Sequence, residues 1–204
     1  MTETEAGRIL KDLITTRRSV RQFTETEVEV DRLASLVTLG TWAPTGGNAQ
    51  SWRFVIVTDE PTVRAVHAVS PGISSPPPAI LVICQDLKRA EELGGAMGRD
   101  RCTSMDTAMA AQTIMLAAHA ERLGTCAVLS FHAGAVHKIL GLPDEILPQL
   151  LLSVGHPAKV PPPPPRRSEG LIHLDRWGQY YDERTPGLQE AGEPRGEGKK
   201  GGGT

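Results

Sequence analysis

Arg17-Arg18-Ser19-Val20-Arg21-Gln22-Phe23 puts three guanidiniums and a hydroxyl within five residues, where a helical pattern gives way to an extended one. Crowding that much positive charge is costly without an anion. A phosphate supplies three acceptor oxygens and nearly two charges. In an extended segment Arg17, Ser19 and Arg21 alternate and so point the same way. A solvated basic patch at a helix C-terminus gives the same string, and residues 17–23 alone leave both readings open. Upstream, Ile9, Leu10, Leu13 and Ile14 recur at helical spacing and predict a helix over about 4–16.

Downstream, a second helix is expected over 31–39, ended by Gly40. Next comes a loop of small residues and amides, Trp42-Ala43-Pro44-Thr45-Gly46-Gly47-Asn48-Ala49-Gln50-Ser51. Glycines let backbone approach a flat ligand closely, and Asn48 and Gln50 offer donors and acceptors for the edge of a heterocycle. An ordinary connecting loop reads the same way. Strands are predicted at 52–57, 79–84, 126–129 and 150–155, the second apolar enough to be buried on both faces. Helices are predicted from Pro61 to about 69, over 103–123 and near 133–140, with a Pro/Ser/Gly loop at 70–78. The long helix is apolar around most of its girth, with its methionines in the core and Asp106 capping or orienting its start. His119 is read as a polar edge or subunit contact. Strands interleaved with helices make an α+β or α/β sandwich.

Composition agrees. The chain has 204 residues, enough for one domain from 1 to about 185. Its 22 basic and 24 acidic residues leave a net charge of −2, which argues against a nucleic-acid or polybasic membrane surface. Aromatics make up 4%, so the core is aliphatic. Half of the 16 prolines fall in two runs, and the five at 161–165 predict an extended arm, about 158–185, carrying Arg166-Arg167. Residues 186–204 are Gly-rich and polar, and a disordered tail is expected. Cys84, Cys102 and Cys126 form no CxxC pair, the histidines show no metal spacing, and MTETEAGRILKDL lacks an apolar signal core. These features point to a cytoplasmic protein without a membrane span or metal. Gly94-Gly95-Ala96-Met97-Gly98 does not follow a strand with dinucleotide-binding spacing.

Taken in order, RRSVRQF, APTGGNAQSWRFVIV, DTAMAAQTIMLAAHAERLGTCAV, LLSVGHPAK and PPPRRSEGLIHLDRWG resemble the FMN-dependent nitroreductase family, over about 8–178. The resemblance implies an α+β sandwich with a mixed, mainly antiparallel central sheet between helices. It also implies an intertwined homodimer that exchanges C-terminal arms. Arg17, Arg18, Ser19 and Arg21 match the segment that in the family holds the FMN phosphate and ribityl chain, the last lying toward the flavin pyrimidine. Pro44, Thr45, Gly46 and Asn48 match the loop laid against the flavin ring, usually by the second subunit, and Gln50 ends the same loop. Val128, Leu129 and Ser130 fall where a backbone amide reaches flavin N5. Arg166 and Arg167 match the basic pair that closes on the phosphate. The implied activity is ping-pong transfer from NADH or NADPH through FMN to small electron-poor acceptors such as nitroaromatics and quinones, with no obligatory catalytic side chain.

The chain departs from the pattern at three points. Gly46-Gly47 stand where serines are common, Ser51 stands where a proline is common, and the 70–78 segment is short. Two other readings stay open: a flavin-binding sensor or partner protein without turnover, and a specialised relative of flavin-destructase or dehalogenase type.

Overall fold

The computed structural model describes residues 4–166, 169–182 and 185–190. Two compact units divide the chain, residues 1–163 and 164–204.

The first unit is built on β3 (Ala79–Asp86), which is buried along its whole length as its unbroken apolar run predicts. It pairs antiparallel with β2 (Trp52–Val57) on one side and β5 (Ile146–Gly155) on the other, and β5 pairs antiparallel with β4 (Gly124–Val128). The sheet order is β2-β3-β5-β4. Side chains alternate across it. Leu81, Ile83, Leu152 and Val154 face Leu33 and Leu36 of α2 (Val30–Gly40) and Ala111, Ile114 and Ala118 of α5 (Thr103–Ala120). Ile80, Val82, Cys84, Leu151 and Cys126 face Val63 and Val66 of α3 (Glu60–Ala68) and Val136 of α6 (Ala133–Ile139). Each fully buried aliphatic side chain contributes about 1.5–3 kcal/mol. The predicted α+β sandwich is therefore found. Among the described residues its parallel component is a single bridge, Ser19 to Thr125.

Local chemistry sets the helix ends. Thr4 Oγ1 accepts from Gly7 N–H to start α1 (Glu5–Thr16), and Asp59 Oδ2 accepts from Thr62 N–H and Oγ1–H to start α3. Gly40 closes α2 against α5, where a Cβ would lie 2.5 Å from Ile114 Cγ1.

Two expectations need correction, and a third feature was not foreseen. A helix the periodicity did not predict, α4 (Leu87–Met97), follows β3, capped by Asp86 Oδ1 accepting from Arg89 N–H. Of its residues only Ala90 is buried, and Gly95 at φ 58° kinks it, so its apolar signal is thin. A π turn, Gly98–Cys102, joins it to α5. The methionines of α5 do not all enter the core: Met115 packs against it, whereas Met105 and Met109 are exposed, because α5 buries one face only. The apolar stripe of α1 is likewise uncovered, with Ile9, Leu10 and Ile14 each about half exposed.

A short antiparallel pair, β1 (Gln22–Phe23) with β6 (Pro157–Lys159), ties the arginine-rich segment to the end of the sheet. In the second unit β7 (Gln179–Asp182) pairs antiparallel with β8 (Thr185–Glu190), and the His173 and Trp177 rings stack 4.2 Å apart. Residues 186–190 are thus part of a strand and not of the expected disordered tail, and 191–204 lie outside the described residues.

Candidate functional site

α1 ends at Thr16 because Arg17 turns to extended backbone (φ −56°, ψ 137°) while its N–H still donates to Leu13 O. From there the chain runs beside β4. Ser19 bridges Thr125, Val20 N–H donates to Thr125 O at 2.9 Å, and Val20 packs so close to Gly124 that a Cβ there would sit 2.8 Å from its side chain.

This arrangement opens a cavity of about 240 Å³. Thr16, Arg17, Arg18, His119, Arg122 and Thr125 supply its polar wall, and among the described residues no carboxylate lines it. Arg17 Nη1 and Thr125 Oγ1 are buried there without hydrogen-bond partners. Buried polar groups are normally paired, and two donors left open among guanidiniums are complementary to an anion. Arg18 braces the wall by donating from Nη1 to Thr15 O and Arg17 O, both at 2.8 Å. His119 Nε2 lies 2.9 Å from Thr16 Oγ1. Burial, with Arg17 and Arg18 nearby, pushes the His119 imidazole below its usual 6.5.

Arg17 and Arg21 both act on the Cys126 thiol, each countering the rise that burial imposes on it. Arg17 shares its cavity with Arg18, whereas Arg21 lines a separate, water-sized crevice with Phe23, Gly72, Ser74, Cys126 and Val128. The 70–78 loop is fastened on this side. Ser74 and Ser75 hydroxyls donate to Arg21 O at 3.3 Å, and Gly72 N–H donates to Ser130 O at 2.9 Å. Gly72 lies so close to β4 that a Cβ would fall 2.6 Å from Val128 Cγ1. Val128 is buried, and Leu129 and Ser130 are exposed just beyond it. The fold thus gathers residues 17–21, 72–75 and 124–130 along one edge of the sheet.

The 44–50 loop sits elsewhere. It forms a 3-10 turn over Gly46–Asn48 with three consecutive or near-consecutive left-handed residues, Gly47, Asn48 and Gln50 (φ 58°, 56° and 50°). Only glycine adopts this region freely, and asparagine tolerates it better than most. Asn48 Oδ1 accepts from Gln50 Nε2–H at 3.0 Å, and Gln50 N–H donates to Thr45 Oγ1 at 3.2 Å. Pro44, Gly46, Asn48 and Gln50 are exposed, and Thr45 is half-buried. Two side chains hold the loop from behind: Arg89 Nε–H donates to Ala49 O at 2.7 Å, and Asp106 Oδ1 accepts from Gly46 N–H at 3.1 Å. Asp106 therefore anchors this loop instead of capping its own helix. Asp106 and His119 stand at opposite ends of α5, thirteen residues and roughly 20 Å apart at 1.5 Å per residue. Within one chain, the loop and the Arg17 cavity are separate surfaces.

Arg166 is exposed in the second unit, and Arg167 lies outside the described residues. Sequence reasoning missed Thr16, Arg122 and Thr125 as cavity residues and gave His119 a different place. No sequence pattern marks them: they meet only where Arg122, at φ 62°, and Gly124 turn α5 into β4 beside residues 16–20. Among the described residues no helix is long and apolar enough to cross a membrane.

Comparison with known proteins adds to this geometry. The nitroreductase family model matches residues 14–70 and 70–156. A putative NADH dehydrogenase/NAD(P)H nitroreductase of Methanothermobacter thermautotrophicus is 25% identical over 173 residues, which cover 81% of this chain and 86% of that protein. An FMN reductase (NADPH) of Bacillus subtilis is 25% identical over 213 residues, covering 88% and 86%. Among solved structures, the putative NADH dehydrogenase/NAD(P)H nitroreductase from Bacteroides thetaiotaomicron superposes with a TM-score of 0.73 at 26% identity. That match covers 83% of this chain and 98% of the other.

Proposed function

Since this chain belongs to the nitroreductase family, we propose that it is an NAD(P)H-dependent FMN oxidoreductase acting on small electron-poor acceptors such as nitroaromatics and quinones. The observation that carries the reading is the cavity at Arg17, where a buried guanidinium nitrogen and the Thr125 hydroxyl lack partners beside Arg18 and Arg122. A phosphate satisfies both. In this reading Arg17, Arg18 and Ser19 hold the FMN phosphate and ribityl chain. Arg21 supplies positive charge toward the pyrimidine edge, which favours negative charge on the ring. Val128, Leu129 and Ser130 offer backbone at the ring's reactive side. When bound, FMN supplies the redox chemistry, accepting hydride from NADH or NADPH and passing electrons to the acceptor.

The loop of Pro44, Thr45, Gly46, Asn48 and Gln50 completes the site from a second copy. Its separation from Arg17 by the length of α5 supports this. So do the exposed apolar residues Ile9, Leu10 and Ile14 of α1 and Met105 and Met109 of α5, because apolar side chains left uncovered on two helices suit an interface. The working unit is then a cytoplasmic homodimer.

Purification tests the reading. The protein should carry, or take up, FMN, and its visible flavin bands should bleach with NADH or NADPH and return on adding menadione or a nitrobenzene. A colourless protein that takes up no FMN would refute it. A flavin that neither nicotinamide bleaches would instead mark a binding protein without turnover.

A further inference from the structure

A second cavity, of about 190 Å³, lies at the other end of α5 from Arg17. Ala90, Leu93 and Met97 of α4 give it an apolar wall, Ser51, Cys102 and Asp106 bring polar atoms to it, and Gly46 and Gly47 of the 44–50 loop border it. Two oxygens facing no partner stand out. Ser51 Oγ and Asp106 Oδ2 are both buried and unbonded, in residues only 1% and 2% exposed. Their neighbouring groups are already engaged. Asp106 Oδ1 accepts from Gly46 N–H, and Ser51 O accepts from Asp86 N–H at 2.7 Å. Arg89 of α4 has its Nε–H on Ala49 O and does not line the cavity. A buried carboxyl group with one oxygen unpaired is costly to leave open, and such groups are normally paired.

Size and chemistry together define what would pair them. A dry cavity of about 150 Å³ accommodates benzene, while one water accounts for only about 30 Å³ of liquid, so this space matches one substituted ring. The unpaired oxygens call for N–H donors, and the lone carboxylate calls for positive charge. We infer that this cavity is a binding site for a one-ring organic cation, such as an aryl amidine. Its N–H groups would donate to Asp106 Oδ2 and Ser51 Oγ, and its ring would pack against Leu93 and Met97. Burial raises the proton affinity of Asp106, and a cationic partner reverses that effect, so ligand and carboxylate stabilise each other's charge. Because Asp106 also holds Gly46, occupancy bears directly on the 44–50 loop. The inference stands on this cavity alone and does not depend on the flavin reading.

Calorimetric titration of the full chain with benzamidine, and with benzoate as the oppositely charged isostere, tests it. Benzamidine should bind one per chain and benzoate should not. Asp106→Asn keeps an acceptor for Gly46 but puts an amide in place of the free carboxylate oxygen, and should weaken benzamidine by about tenfold or more, the loss of one charge-assisted hydrogen bond. Ser51→Ala should weaken it less. An independent measurement uses Cys102, which lines the cavity and is half-buried, whereas Cys84 and Cys126 are buried. Saturating benzamidine should slow its alkylation by iodoacetamide, which decides the matter even if Asp106→Asn fails to fold. Absence of saturable binding, equal affinity in a folded Asp106→Asn protein, or unprotected Cys102 would overturn the proposal.

Discussion

Three glycines within five residues, Gly94, Gly95 and Gly98, should respond to the same Gly→Ala change in three different ways. An alanine Cβ at Gly94 meets nothing within 4 Å, in a helical stretch of α4. The substitution removes unfolded-state freedom and adds helix propensity, so it should stabilise by about 0.4–1 kcal/mol. At Gly98 the Cβ would fall 2.3 Å from Ala90 O, a backbone atom, far inside the roughly 3.5 Å spacing of non-bonded atoms. Ala90 is buried and the π turn packs on α4, so neither side can yield cheaply. Overpacking costs about 1–3 kcal/mol, against a propensity gain of about 1, for a net loss of up to about 2 kcal/mol. At Gly95 space is open, but φ 58° with ψ −154° is glycine-only backbone, and alanine should cost about 1–3 kcal/mol. Urea unfolding gives all three. For a chain of this size 1 kcal/mol moves the melting temperature by about 2–4 °C, so thermal melts resolve the order as well. Gly98→Ala as stable as Gly94→Ala would refute the close packing of α4 on the π turn, and a neutral Gly95→Ala would refute the kink.

Other expectations follow from the same geometry. His119 should titrate below 6.5 in the flavin-free protein, by NMR of its ring. Its contribution to stability is then present above pH 6.5 and lost as pH falls through the folded value, and a phosphate in the cavity should move that value up. Burial pushes the Cys84 thiol from 9 up to about 12, so its contribution is full below pH 9 and declines as pH rises toward 12. Cys84→Ala should therefore flatten the fall in unfolding free energy between pH 9 and 11. Replacing Leu10 and Ile14 together by aspartate should leave the chain folded but shift it to monomer in analytical ultracentrifugation, with loss of FMN retention.

The sandwich was legible where burial leaves a periodic trace. β3 reads as a two-face strand because every residue is enclosed, and α2 and α3 because their apolar positions recur and their ends carry Gly40, Asp59 and Pro61. α4 was not legible, since one buried alanine and a glycine pair give almost no pattern. β1 and β6 were missed for a related reason: they are two and three residues long, and their pairing is set by the sheet they border. Arg17 and Arg18 were legible as an anion-seeking cluster, but Thr125 and His119 join them only because β4 and the end of α5 are folded beside them. Asp106 shows the reverse case. Its place in the first turn of a helix suggests a cap, and only the tertiary approach of Gly46 reveals what it holds.

The central claim is that the Arg17 cavity receives the phosphate of FMN. Titrating the apo-protein with FMN and with riboflavin, which lacks the phosphate, isolates that contact, in the wild type and in Arg17→Ala. With two or more charge-assisted hydrogen bonds of about 1.5–3 kcal/mol each, the account predicts FMN binding at least about 100-fold tighter than riboflavin. Most of that preference should vanish in Arg17→Ala while riboflavin affinity holds. Equal affinities for the two flavins in the wild type, or an FMN preference untouched by Arg17→Ala, would contradict it.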